Sequence, residues 1–163
     1  MTIIFGENQT GKTSLALEMV RKAPKVIYFT LDSDKSLKEK VDNVRTNIEL
    51  KSIDNPFIID IEMEIIQNGG LKNDITHLIV DPINFIRQSN VDYFSTEKSN
   101  NLKNIISSLE YIESTYNLKV IAIFNTLRNV DKTRESIMEY KEHNLVQTNS
   151  RVKKSTKKTK TMI

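Results

Sequence analysis

Apolar residues fall in short blocks separated by polar stretches with helical spacing. Residues 1–5, MTIIF, form an apolar run that ends at Gly6, and they predict a first strand. Residues 12–22 gather Leu15, Ala16, Met19 and Val20 on one face, which predicts an amphipathic helix. Pro24 interrupts the chain, and residues 26–31 make a second apolar run. Leu37, Val41 and Val44 return to helical spacing. Pro56 introduces residues 57–61, FIIDI, read as a third strand, with residues 62–67 as a helix stopped at Gly69-Gly70. Residues 77–81, HLIVD, predict a fourth strand. Leu102, Ile105, Ile106, Leu109, Ile112 and Tyr116 mark one face of a long helix. Residues 120–124 predict a fifth strand and residues 133–143 a last helix. The strand runs are mostly apolar rather than alternating, as expected when helices cover both faces of a sheet. Strand–helix alternation of this kind predicts an α/β fold with a mostly parallel sheet sandwiched between helices.

The chain has 163 residues, a length that suits one domain able to bury about two-thirds of its unfolded surface. It has no cysteine, which excludes disulfides, thiolate catalysis and cysteine-ligated metal centres. Its two histidines, His77 and His143, are too few for a histidine-rich metal site, and His77 reads as structural. No apolar run approaches the ~18 residues of a membrane span. The start MTIIFGEN lacks the basic and long apolar regions of a signal peptide. The expectation is a cytoplasmic protein with no membrane partner.

Charge divides the chain. Six of the 24 basic residues lie in residues 151–163, RVKKSTKKTKTMI, which hold no acidic residue. The remaining 18 basic residues face 21 acidic ones in residues 1–150, so the net charge of +3 comes from the tail. A stretch of one charge sign with Ser/Thr filler cannot offset its ordering entropy. It reads as a basic C-terminal tail, disordered when alone, either an arm for nucleic-acid phosphates or a solubilising extension. The predicted organisation is a folded domain over residues 1–150 and this tail over 151–163.

The sharpest chemical signal is residues 6–13, Gly-Glu-Asn-Gln-Thr-Gly-Lys-Thr, which fit the phosphate-loop pattern G-x-x-x-x-G-K-[ST] between a strand and a helix. Gly6 and Gly11 permit the turn and a close backbone approach to phosphate. Successive amides along Glu7, Asn8, Gln9, Thr10, Gly11 and onward to Ser14 would form one anion-binding concavity at a helix N-terminus. Lys12 should reach the β- and γ-phosphates, and the Thr13 hydroxyl should ligate Mg²⁺.

A carboxylate for Mg²⁺ should end another strand, and Asp81 does so after His77-Leu78-Ile79-Val80, directly or through a water. Hydrolysis further needs a carboxylate to orient water. Asp32, at the end of the second strand, is the candidate if that strand lies beside the first; otherwise it, Ser33 or Asp34 caps the following helix. Asn125 closes the fifth strand and could bond a γ-phosphate oxygen, or serve as a turn residue.

Taken in order, these segments resemble the RecA-like ATPase core of DnaB-type replicative helicases. GENQTGKT is similar to the family's phosphate loop, VIYFTLDSDKSLKEKV to its second-strand motif, and PFIIDI to its third-strand segment. THLIVDPINFI resembles the strand bearing the magnesium aspartate, and NLKVIAIFNTLRNVDKTR the run carrying its γ-phosphate sensor. The resemblance implies the catalytic acid on Asp32, the metal aspartate on Asp81, the sensor on Asn125 and an arginine on Arg128. Asp32 and Asn125 are each one methylene shorter than the family's Glu and Gln.

The resemblance implies an ATPase using ATP and Mg²⁺, acting on nucleic acid, with single-stranded DNA the expected partner. It also implies assembly with copies of itself or with a partner ATPase that supplies an arginine. Loops over residues 87–98 and 127–135 would face DNA, with Arg87, Gln88, Asn90, Tyr93, Phe94 and Lys98 in the first. Arg128, Asn129, Lys132 and Arg134 would serve in the second. Two other functions fit the same loop: a nucleotide-gated DNA-binding subunit without turnover, and a small nucleoside or nucleotide kinase.

Overall fold

The computed structural model describes residues 1–31, 35–44, 47–69, 72, 74–88, 98–126 and 144–147, without the side chains of 98–101 and 144–147. Its strands are β1 (Thr2–Gly6), β2 (Val26–Thr30), β3 (Ile48–Ser52), β4 (His77–Asp81), β5 (Lys119–Asn125) and β6 (Asn144–Gln147). Its helices are α1 (Lys12–Met19), α2 (Lys35–Asp42), α3 (Ile58–Gln67) and α4 (Lys98–Thr115). The strands form one sheet in the order β3-β2-β4-β5-β1-β6, and every pairing is parallel.

Alternation along the strands divides the core in two. Ile4, Tyr28, Ile79, Ile121 and Ile123 pack with Ala16 and Leu17 of α1 and Leu37 and Val41 of α2. Ile3, Ile27, Phe29, Leu78, Val80 and Ala122 pack on the other face with Ile61 and Ile65 of α3 and with Ile105, Leu109 and Ile112 of α4. The sheet is therefore sandwiched between helices, and its buried strands read as continuous apolar runs for that reason.

Three expectations change. Residues 57–61 are not a strand: Phe57 N–H bonds Asp60 Oδ2 at 2.7 Å and the helix α3 starts at Ile58. The similarity of PFIIDI to a third strand falls with that assignment. The third strand is instead Ile48–Ser52, an edge strand whose side chains are half-buried or exposed, with no apolar run to reveal it. The strand before Asp32 lies beside β4, with β4 and β5 between it and β1. The sheet also gains β6, which pairs with β1 from Thr2↔Asn144 to Phe5↔Gln147.

The expected helix over 133–143, the tail, and residues Asp32, Asn90, Tyr93, Phe94, Arg128, Asn129, Lys132 and Arg134 lie outside the described residues. Among the described residues, no helix is long and apolar enough to cross a membrane.

Candidate active site

Register brings the chemistry together. Gly6 pairs with Asn125 on β1–β5, and Thr30 pairs with Asp81 on β2–β4. Because side chains alternate along a strand, Thr30 shares the face of Tyr28, Asp81 that of Ile79, and Asn125 that of Ile123. All three project on the α1/α2 side at the carboxyl edge of the sheet, where ligands of open α/β sheets bind.

The phosphate loop closes this edge. Gln9 (φ 63°) and Gly11 (φ 88°) adopt left-handed backbone conformations. A Cβ on Gly11 would meet nothing within 4 Å, so the backbone angle and not space calls for glycine there. Gly11 caps α1, and its carbonyl accepts from Leu15 N–H at 2.9 Å. Thr10 Oγ1 donates to the Glu7 carbonyl at 2.8 Å, tightening the loop. Lys12 is only 5% exposed. Its ammonium donates to the Gly6 carbonyl at 2.9 Å and to the Glu7 carbonyl. Burial lowers its pKa from the usual lysine value, while Asp81 and Glu7 pull it back up. An ammonium buried against carbonyls is a site that an anion would stabilise.

Across the sheet, Thr13 Oγ1 donates to Asp81 Oδ2 at 2.9 Å. Tyr28 O–H donates to the same oxygen at 2.5 Å. Burial first, and the neighbouring Asp81 carboxylate second, push the Tyr28 phenol far above its ordinary value. The Asp81–Pro82 peptide is cis. A turn of 3-10 helix follows, Ile83–Phe85, and it carries Asn84. The Asn84 amide clamps the end of β5: its Nδ2 donates to the Asn125 carbonyl at 2.8 Å, and its Oδ1 accepts from Asn125 N–H at 3.1 Å. Thr126 N–H then donates to the Gly6 carbonyl at 3.0 Å, tying β5 to the loop.

These groups enclose a cavity of about 520 Å³, within the ~300–1,000 Å³ usual for small-molecule sites. Of the expected site residues, Asn8, Gln9, Gly11, Lys12, Thr13, Ser14, Asp81 and Asn125 line it. Gly6, Glu7 and Thr10 build the loop behind that surface. Sequence reasoning missed Ser36, Leu37 and Lys40 of α2, which form the opposite wall, together with Thr30 and Pro82. It also missed Tyr28 and Asn84, since finding their partners requires the register of β2 on β4 and the path of the chain after Asp81.

The donors present fit Mg²⁺. Thr13 and Asp81 offer a hydroxyl and a carboxylate, hard oxygen ligands. Among the described residues, no group of three or more His, Asp or Glu side chains could hold a metal by itself. A cation here would complete its shell with phosphate oxygens and water, the habit of Mg²⁺. His77 lies at the other end of β4, with Nδ1 3.1 Å from Thr76 Oγ1. Arg87, expected to face DNA, donates to the Asn55 carbonyl at 2.6 Å and stacks 4.2 Å from the centre of the Phe57 ring.

No protein-family model and no curated protein matches the sequence. Solved structures do match. A DnaB-like replicative helicase, described with its interactions with primase, aligns with a TM-score of 0.60 at 14% identity, covering 83% of this chain and 41% of that one. The RadB recombinase aligns with a TM-score of 0.50 at 16% identity, covering 82% of this chain and 65% of that one. The chain thus spans less than two-thirds of the length of either structure. Its parallel sheet, with helices on both faces, has the RecA-like α/β fold of these two proteins.

Proposed function

We propose that the chain is a RecA-like ATPase that binds ATP with Mg²⁺ in the 520 Å³ cavity, hydrolyses it, and couples nucleotide state to nucleic acid. The observation that carries this reading is the 2.9 Å hydrogen bond from Thr13 to Asp81. It joins the helix of a phosphate loop to the carboxylate of a strand two places away, the pairing that a Mg²⁺-nucleotide site requires.

In this reading Lys12 binds the β- and γ-phosphates, with the loop amides from Glu7 to Ser14. Thr13 and Asp81 would hold Mg²⁺, which would supply charge neutralisation at the phosphate oxygens. Although β2 is not beside β1, its last residue Thr30 lines the cavity, and in this reading Asp32, two residues further along the chain, orients the attacking water. That water forms a bond to the γ-phosphorus as the bond to the ADP oxygen breaks, releasing ADP and phosphate. Asn125 bonds a γ-phosphate oxygen, and the segment after it, with Arg128, passes the change to bound DNA. The chain acts as a homo-oligomer or with a partner ATPase.

The test is steady-state ATP hydrolysis with and without single-stranded DNA, with Lys12→Ala as the blank. Turnover that DNA stimulates and Lys12→Ala abolishes supports the reading. ATP binding without turnover in either condition overturns the self-sufficient ATPase and favours a subunit that depends on a partner. Phosphate transfer to a small acceptor, indifferent to DNA, marks a kinase instead.

A further inference from the structure

Tyr28 sits in the middle of β2 and is 0% exposed, yet it carries a hydroxyl. Its register partner on β4 is Ile79, and Asp81 lies two residues further along on the same face. The phenol therefore reaches diagonally toward the carboxyl edge and donates to Asp81 Oδ2 at 2.5 Å. Thr13 donates to that same oxygen at 2.9 Å from another element, α1. A buried tyrosine hydroxyl needs a partner, and a backbone carbonyl would satisfy it. Here it is committed to the cavity carboxylate that faces the phosphate-loop threonine.

We propose that Tyr28 is a positioning residue for the divalent cation of the nucleotide site, acting by fixing the carboxylate of Asp81. This rests on the nucleotide-binding reading above. With Oδ2 anchored from two sides, Asp81 keeps one orientation, in which its carboxylate would meet the cation or its water. Two effects oppose each other. Donated hydrogen bonds draw negative charge from the carboxylate and weaken its pull on a cation. Orientation strengthens binding, because Mg²⁺ tolerates little departure from octahedral geometry. Groups that orient a metal ligand from behind typically account for ~10–100-fold in metal affinity, so orientation should win.

The test is Tyr28→Phe in the full chain, which removes the hydroxyl and keeps the ring. A fluorescent ATP analogue is titrated first in EDTA and then with Mg²⁺, and Mn²⁺ binding is followed by electron paramagnetic resonance. The expected result is a ~10–100-fold weaker affinity for either cation, with nucleotide affinity in EDTA unchanged. A cation titration that superposes on the wild type, even with a lowered melting temperature, reduces Tyr28 to a packing role and overturns the proposal. Tighter cation binding overturns it too, since the hydroxyl would then be a competitor.

Wild-type protein that binds no nucleotide in either condition overturns the nucleotide-binding reading itself. Should Tyr28→Phe fail to fold, wild-type protein carrying ¹³Cζ-tyrosine answers the question. Its five tyrosines are assigned by Tyr→Phe substitution at the other four. The Tyr28 resonance should move when Mg²⁺ joins the nucleotide-bound protein, and one indifferent to Mg²⁺ overturns the proposal.

Discussion

The two ends of the parallel sheet are both hollow and differ in what their polar groups do. At the carboxyl edge lies the 520 Å³ cavity behind the phosphate loop. At the amino edge lies another of about 430 Å³, lined by Met1, Thr2, Met19, His77, Glu113 and Lys119 among others. There the Glu113 carboxylate satisfies two neighbours. Glu113 Oε2 accepts from the Met1 amino group at 2.6 Å, and its Oε1 accepts from Val120 N–H at 2.9 Å. Thr76 Oγ1 donates to the Lys25 carbonyl at 2.9 Å. At the carboxyl edge a buried ammonium rests on carbonyls, and donors from two elements, α1 and β2, converge on the carboxylate of a third, β4. Cavity size does not distinguish the two ends. The carboxyl edge gathers a helix N-terminus and a buried ammonium resting on carbonyls, whereas the Met1 ammonium at the amino edge is paired with the Glu113 carboxylate.

The largest expected effect divides these two ends by substitution. If Lys12 binds phosphate as proposed, Lys12→Ala removes a charged donor, a loss of ~1.5–3 kcal/mol per hydrogen bond, so ATP affinity measured by calorimetry should fall by at least about tenfold. Glu113→Ala should leave that affinity unchanged. It strips the partner from Val120 N–H, in a residue only 1% exposed. The cost should be about 1–3 kcal/mol in denaturant unfolding. If Glu113→Ala weakened ATP binding as much as Lys12→Ala does, the functional contrast between the ends would be lost.

A smaller effect sharpens the carboxyl edge itself. Asn84→Ala removes the side chain that bonds both backbone groups of Asn125. The stability cost should be about 1–2 kcal/mol, from two neutral hydrogen bonds. ATP affinity should change little while turnover falls by ~10-fold or more, because a ~1 Å displacement near reacting atoms can cost ~100-fold. Equal losses in affinity and turnover would place Asn125 among the binding groups and deny it a sensing role.

The sequence reveals these regions unequally, for physical reasons. β4 is legible to the residue because it is buried on both faces and ends in a charge. The loop between β1 and α1 is legible because its pattern is local to eight consecutive residues, 6–13. The stretch FIIDIEMEII misleads because its β-branched apolar residues fit a strand, while only Asp60 bonding Phe57 N–H betrays a helix start. β3 is hidden because an edge strand needs polar side chains. Tyr28 and Asn84 act through partners 53 and 41 residues away, and no short-range pattern encodes such pairs.

The smallest effect belongs to the amino edge and is a pH dependence. Burial lowers the pKa of His77 from its usual 6.5, and the positive charge of Lys119 lowers it further. The unfolded chain therefore takes up this proton at a higher pH than the folded chain does. Where the unfolded state binds more protons, stability rises with pH. The contribution of neutral His77 is thus intact above the unfolded value of 6.5, and it is lost as pH falls through the lowered folded value. Other groups titrate in the same range, so the informative quantity is the wild type minus His77→Gln. That difference in melting temperature should be flat above pH 7, and the wild type should lose ground to the variant as pH falls below 6.5. A wild type that gains on the variant in acid would mean that His77 is stabilised when charged, and the amino edge would then hold an acceptor for it. ATP affinity at fixed pH should be the same in both proteins, because His77 lies at the far end of the strand that carries Asp81.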